Sequence, residues 1–308
     1  MQIHRQVLEN GATLLLLEMH QAPVVSLNIC LRVGSRYESD AEAGICHLIE
    51  HMLFKGTSRL RPGEVAGRIE ASGGDINAYT SFDETVYYCT LSSRHFETGL
   101  DILSDAVLNS TFDPEELSRE KEVVIEEILR SKDSPSKMLS EALFEKAFPQ
   151  HNYGRPIIGF KETVQGFSRE KIMEFYRSWY VPENMVIVAA GDFKTEQALG
   201  LAERIFGGLP AHPSPRVEKI QEAEATAAQA VVLSSPIQGS TMMLGFPTPQ
   251  LDHTDIPALD ILSHMLGEGE SSRLELKVKE RRGLVNSIYS YVYSPQEPGL
   301  FTFGYNLP

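Results

Sequence analysis

Hydrophobic positions along the chain follow two periods. Residues 3–9 and 13–19 read as two strands around an Asn10-Gly11 turn, a β-hairpin signal, and 24–33 as a third, largely apolar strand. Between positions 43 and 55 the period lengthens. Ile45, Leu48, Ile49, Met52 and Leu53 recur at i, i+3, i+4, i+7 and i+8, the stripe of a helix that packs one face on a core. A short helix opening near Pro62 follows, and Gly73-Gly74 end it ahead of strands at 75–80 and 85–91. Helices are expected at 94–109, 113–132, 136–147 and 168–179, then a strand at 184–190 and a helix at 195–206.

The stretch 208–226 is rich in Gly, Pro, Ala and Glu, with Pro210, Pro213 and Pro215 close together, and reads as a linker. Beyond it the pattern predicts strands at 229–234 and 240–246, helices at 254–267 and 271–281, and strands at 285–293 and 299–305. The strand, strand, helix order that opens the first part thus opens the second as well. The expected fold class is α+β: two similar units, each a mainly antiparallel sheet with helices on one face. The first domain spans 1–207. The second, 227–308, is less than half that size and ends directly after a strand, so it is expected to be incomplete.

Composition narrows the function by exclusion. A chain of 308 residues with 42% hydrophobic and 23% charged residues is globular, neither disordered nor fibrous. A net charge of −14 argues against nucleic acid or an anionic membrane as partner. No apolar run approaches the roughly 18 residues of a membrane span. Three cysteines, Cys30, Cys46 and Cys89, have neither disulfide nor metal-binding spacing, and Met1 to Gly11 lacks an apolar leader core. The expected location is the cytoplasm, or the periplasm if a native leader is missing.

The chemistry concentrates on the helix at 43–55. His47-Leu48-Ile49-Glu50-His51 is an H-x-x-E-H motif. On a helix His47 and His51 share a face and can bind one metal ion, and Glu50 sits beside them, where a base acting on water must be. Catalytic zinc takes three protein ligands and leaves a position for water, so a carboxylate must come from elsewhere. The helix opening at Asp113-Pro114-Glu115-Glu116 carries Glu120, Glu122, Glu126 and Glu127. Glu120, Val124 and Glu127 share one face, and spacing alone does not choose between the two Glu.

The run Gly44-Ile45-Cys46-His47-Leu48-Ile49-Glu50-His51-Met52-Leu53-Phe54-Lys55-Gly56-Thr57 resembles the zinc-site signature of the pitrilysin/insulinase metallopeptidases, which include the mitochondrial processing peptidases. Gly73-Gly74-Asp75-Ile76-Asn77-Ala78-Tyr79-Thr80-Ser81 resembles the family's edge strand, and Arg119 to Glu127 its second signature, two Glu separated by six residues. The resemblance implies zinc on His47, His51 and Glu127, Glu50 as catalytic base, Glu120 as a supporting carboxylate, and Asn77 and Ala78 along a bound peptide. It also implies two halves closing as a clamshell around a peptide substrate.

One departure stands out. Where single-half family members place an Arg and a Tyr that grip the substrate carbonyl, the matching positions are Lys279 and Asn286. Lysine lacks the guanidinium fork and asparagine is far shorter than tyrosine. A second peptidase half, in a longer chain or a partner subunit, is therefore expected to supply that pair, and the present half to turn over weakly alone. Two rivals are a small-molecule metallohydrolase or lyase, such as the S-ribosylhomocysteine lyase with a related motif but a Cys ligand, and a catalytically silent subunit.

Overall fold

The computed structural model describes residues 2–217, 220, 222, 227–235 and 239–307. They form two compact units, Met1–Ile128 with Pro156–Lys219, and Leu129–Arg155 with Ile220–Pro308. The first comprises β1 (His4–Val7), β2 (Thr13–Glu18), β3 (Val24–Leu31), α1 (Ile45–Leu53), α2 (Glu64–Ala71), β4 (Asp75–Thr80), β5 (Thr85–Ser92), α3 (Phe96–Asn109) and most of α4 (Pro114–Lys132). Helix α5 (Pro135–Ala147) belongs to the second unit, and α6 (Lys161–Gly166), α7 (Arg169–Trp179), β6 (Met185–Gly191) and α8 (Thr195–Phe206) return to the first.

The first sheet has the order β1-β2-β6-β3-β5-β4, antiparallel throughout except for the parallel β2–β6 pair. Period-2 alternation decides which side packs. Leu27, Ile29 and Leu31 on β3, Tyr87 and Cys89 on β5, Ile187 and Ala189 on β6, and Leu14 and Leu16 on β2 are all buried in one core. Helices α1 and α2 contact β4, α3 contacts β3 and β5, and α8 contacts β2. Strand β4 lies at the edge of this sheet, with Asp75, Asn77 and Tyr79 exposed and Ile76, Ala78 and Thr80 half-buried.

Two glycines set where α1 begins. Gly44 caps it at φ +95°, and Gly159 approaches at φ +78°. A Cβ on Gly44 would lie 2.6 Å from the Ile158 carbonyl oxygen, and one on Gly159 2.3 Å from that of Ala43. Only a residue without a side chain fits both the left-handed backbone and the spacing.

In the second unit, β7 (Ser240–Thr248), β8 (Ser287–Tyr293) and β9 (Gly299–Leu307) form an antiparallel sheet of order β7-β9-β8, and α9 (Ile256–Gly267) packs on β8. The helix expected at 136–147 packs here, on β7, with Leu143 against Gly245. The strand expected at 229–234 does not form: residues 228–235 are irregular, and Val232 is 89% exposed. A β-branched run has strand propensity only where a neighbouring strand completes its hydrogen bonds. The helix expected at 271–281 is a π-helical stretch, Glu275–Glu280. Of the expected linker, residues 218, 219, 221 and 223–226 lie outside the described residues.

Candidate functional site

Helix α1 positions three candidate side chains by burying everything else. Ile45, Leu48, Ile49, Met52 and Leu53 have no solvent exposure, and Cys46 is buried beside them, its thiol pushed well up, first of all by desolvation. The opposite face presents His47, Glu50 and His51, each half-buried. At the amino end the buried Glu38 carboxylate accepts hydrogen bonds from the Gly44 and Cys46 amides, both 2.9 Å, placing an anion against the positive end of the helix dipole.

One turn apart, the His47 and His51 rings have centroids separated by 4.7 Å. Glu127 reaches them from α4: its Oε2 is 3.9 Å from His47 Nε2 and 3.8 Å from His51 Nε2. These separations exceed a hydrogen bond and come near the ~3.3 Å between donors that share a tetrahedral ion at ~2.0 Å. Among the described residues this is the only group of three or more His, Cys, Asp or Glu whose donor atoms converge, all within 4.8 Å of one another. Two imidazole nitrogens and one carboxylate oxygen suit zinc.

Glu120 faces the other side of His51. It is only 6% exposed, with Oε2 3.2 Å from His51 Nδ1 and Oε1 2.7 Å from Lys55 Nζ. Glu122 and Glu126 point to solvent. The two carboxylates that share a stripe of α4 approach differently: Glu127 meets the two Nε2 atoms and Glu120 the Nδ1 of His51.

Glu50 lies between the helix and the edge strand. Its Oε2 accepts a 2.6 Å hydrogen bond from Thr80 Oγ1 on β4. Burial raises the Glu50 pKa above the ordinary carboxylate value, the Thr80 bond and His51 oppose that rise, and Glu127 adds to it. On the same strand Asn77 Oδ1 accepts from the Ala78 amide at 2.8 Å. Lys279 and Asn286 lie in the second unit. Lys279 is ion-paired with Glu275 in the π-helical stretch, and the Asn286 amide donates to the Asn306 carbonyl at 2.8 Å.

Three contributors escape the sequence reading: Thr80, Lys55 and Glu38. Lys55 follows His51 by four positions, and Thr80 shares the inward parity of Ile76 and Ala78, so both carried a positional signal. Glu38 carried none, because it caps the helix from outside it.

Residues 13–161 match the model of the family described as insulinase (peptidase family M16), and residues 166–308 match that of the peptidase M16 inactive domain. An uncharacterized zinc protease of Rickettsia felis is 31% identical over 96% of this chain and 71% of its own length. The uncharacterized zinc protease YmxG of Bacillus subtilis is 32% identical over 97% of this chain and 72% of its own length. The crystal structure of a protease from Helicobacter pylori, 28% identical, superposes with a TM-score of 0.95 over all of this chain and 75% of that one. The converging histidines and carboxylate fall in the segment matched by the insulinase model, and the chain belongs to peptidase family M16.

Proposed function

We propose that this chain is a zinc-dependent endopeptidase that hydrolyses extended peptides, with His47, His51 and Glu127 as metal ligands and Glu50 as general base. The observation that carries the reading is the convergence of those three donor groups beside a carboxylate held by Thr80. Zinc would supply Lewis acidity, lowering the pKa of a water toward about 7 and polarising a carbonyl oxygen.

The chain's own residues do the rest. Glu50 takes the proton from the attacking water and passes it to the departing amine, so no covalent intermediate is needed. Thr80 occupies one of its oxygens and aims the other. Glu120 orients His51 through Nδ1. Strand β4 receives the peptide along its open edge through main-chain hydrogen bonds, past Asn77 and Ala78. In this structure the Ala78 amide is satisfied by Asn77 Oδ1, so a docking strand must displace that side chain.

A second half completes the machinery. Lys279, already paired with Glu275, and Asn286, too short to reach far, are poor grips for a substrate carbonyl. Full turnover therefore draws on another peptidase half. The test is cleavage of an internally quenched peptide by wild type and Glu50→Gln, with zinc measured in both. Loss of cleavage at unchanged zinc supports the reading; equal cleavage by the two proteins refutes it.

A further inference from the structure

We propose that Lys55 is a positioning residue of the metal site: its ammonium holds the Glu120 carboxylate in the orientation that keeps the His51 proton on Nδ1 and turns the Nε2 lone pair toward Glu127. This role rests on the reading of His47, His51 and Glu127 as metal ligands. The Glu120 carboxylate bridges two groups, with Oε2 at 3.2 Å from His51 Nδ1 and Oε1 at 2.7 Å from Lys55 Nζ. An ionised carboxylate only accepts hydrogen bonds, so the imidazole nitrogen facing it must carry the proton. Nε2, the atom that faces Glu127 at 3.8 Å, is then the lone-pair donor.

Burial separates this pair from an ordinary surface ion pair. Exposed pairs contribute little. Glu120, however, has 7% side-chain exposure, and a carboxylate out of water is held in a fixed orientation by the partners that bond its two oxygens. Lys55 is well placed to be such a partner because its backbone is pinned on both sides. Its amide bonds the Met52 carbonyl at 3.0 Å. Two residues on, Thr57 Oγ1 donates to the buried Asp105 at 2.6 Å, while Arg59 Nε bonds the same carboxylate at 3.0 Å. These bonds anchor the backbone that carries Lys55 beside Glu120.

The experiment compares wild type, Lys55→Met, Lys55→Arg, Glu120→Gln and the Lys55→Met/Glu120→Gln double variant. The His51 tautomer is read from ¹H–¹⁵N correlations of metal-free, ¹⁵N-histidine-labelled protein, with His51→Ala identifying the signal. Zinc affinity is read by competition with a chromogenic chelator, and unfolding midpoints check the fold. Wild type and Lys55→Arg should show His51 protonated on Nδ1, and Lys55→Met a mixture of tautomers. Zinc binding of Lys55→Met should weaken by about 10–100-fold, the range for lost supporting partners. In the Glu120→Gln background the same change should cost less than about twofold, because the shared path is already cut. An unchanged tautomer and affinity in Lys55→Met, or a full loss in the Glu120→Gln background, would overturn the proposal. Absence of zinc binding by wild type would instead defeat the ligand assignment, and the metal-free tautomers would still decide the role of Lys55.

Discussion

Replacing Thr80 with valine removes one hydroxyl and keeps the shape. The hydroxyl donates to Glu50 Oε2 at 2.6 Å, in a half-buried position between β4 and α1. A hydrogen bond to a charged group contributes about 1.5–3 kcal/mol. If that energy serves to hold the base in line, its loss raises the barrier by a similar amount, and each 1.4 kcal/mol is about tenfold in rate. Thr80→Val should therefore lower kcat between about 10- and 100-fold, at or below the lower end of the roughly 10²–10⁴-fold span attributed to general bases. KM should hold, because the side chain points inward from the edge that takes the peptide. Bound zinc should hold as well, because Thr80 touches none of the three ligands. Thr80→Ser, which restores the donor, should recover most of the rate. The assay is single-turnover cleavage of a quenched peptide with enzyme in excess. A Thr80→Val rate within twofold of wild type, or a loss confined to KM, would refute the reasoning.

Three further expectations follow from other parts of the molecule. Glu50→Gln should lose about 10²–10⁴-fold in turnover and retain its metal, as measured by peptide cleavage beside elemental analysis. Gly44→Ala should destabilise the first unit by at least about 2 kcal/mol, since left-handed backbone costs a residue with a side chain about 1–2 kcal/mol before the clash with the Ile158 carbonyl is counted. The single tryptophan, Trp179, is buried in that unit, so its fluorescence in urea reports the loss. The third concerns pH. His20 sits between Asp192 at 2.7 Å and Glu18 at 2.9 Å, which raise its pKa above 6.5, while hydrogen bonds from Thr195 and then His20 pull Glu18 down from 4.5 to about 2. The histidine contribution is complete below 6.5 and fades as pH rises through the elevated value. The Glu18 contribution is complete above 4.5 and fades as pH falls toward 2. The gap in unfolding temperature between wild type and His20→Gln should thus be widest between 4.5 and 6.5 and shrink at alkaline pH. A gap that widens above pH 8 would contradict it.

The helix that carries the candidate site was legible because five apolar positions and three chemical ones divide cleanly between two faces of a single short segment. Local order of that kind is written in periodicity. Which Glu joins the two histidines was not, since Glu120 and Glu127 occupy one stripe of α4 and only tertiary approach separates them, Glu127 meeting Nε2 of both His47 and His51 and Glu120 meeting Nδ1 of His51. The resemblance implies Glu127, the carboxylate that meets both Nε2 atoms, where periodicity leaves the two open. The same limit explains the misses in the second unit. The run at 229–234 has strand composition but no strand beside it, and α5 was recognisable as a helix while its packing on β7 was not. Lys55 and Thr80 show the converse. Each stood in a readable position, but its meaning depended on a partner from another element, Glu120 on α4 for the one and Glu50 on α1 for the other.

The central claim is that His47, His51 and Glu127 together hold one zinc ion. Elemental analysis of metal per chain, on wild type and Glu127→Gln purified side by side without chelators, tests it most directly. The account predicts close to one zinc in wild type and a marked loss in the variant. No zinc in wild type, or zinc retained in full by Glu127→Gln, would contradict it.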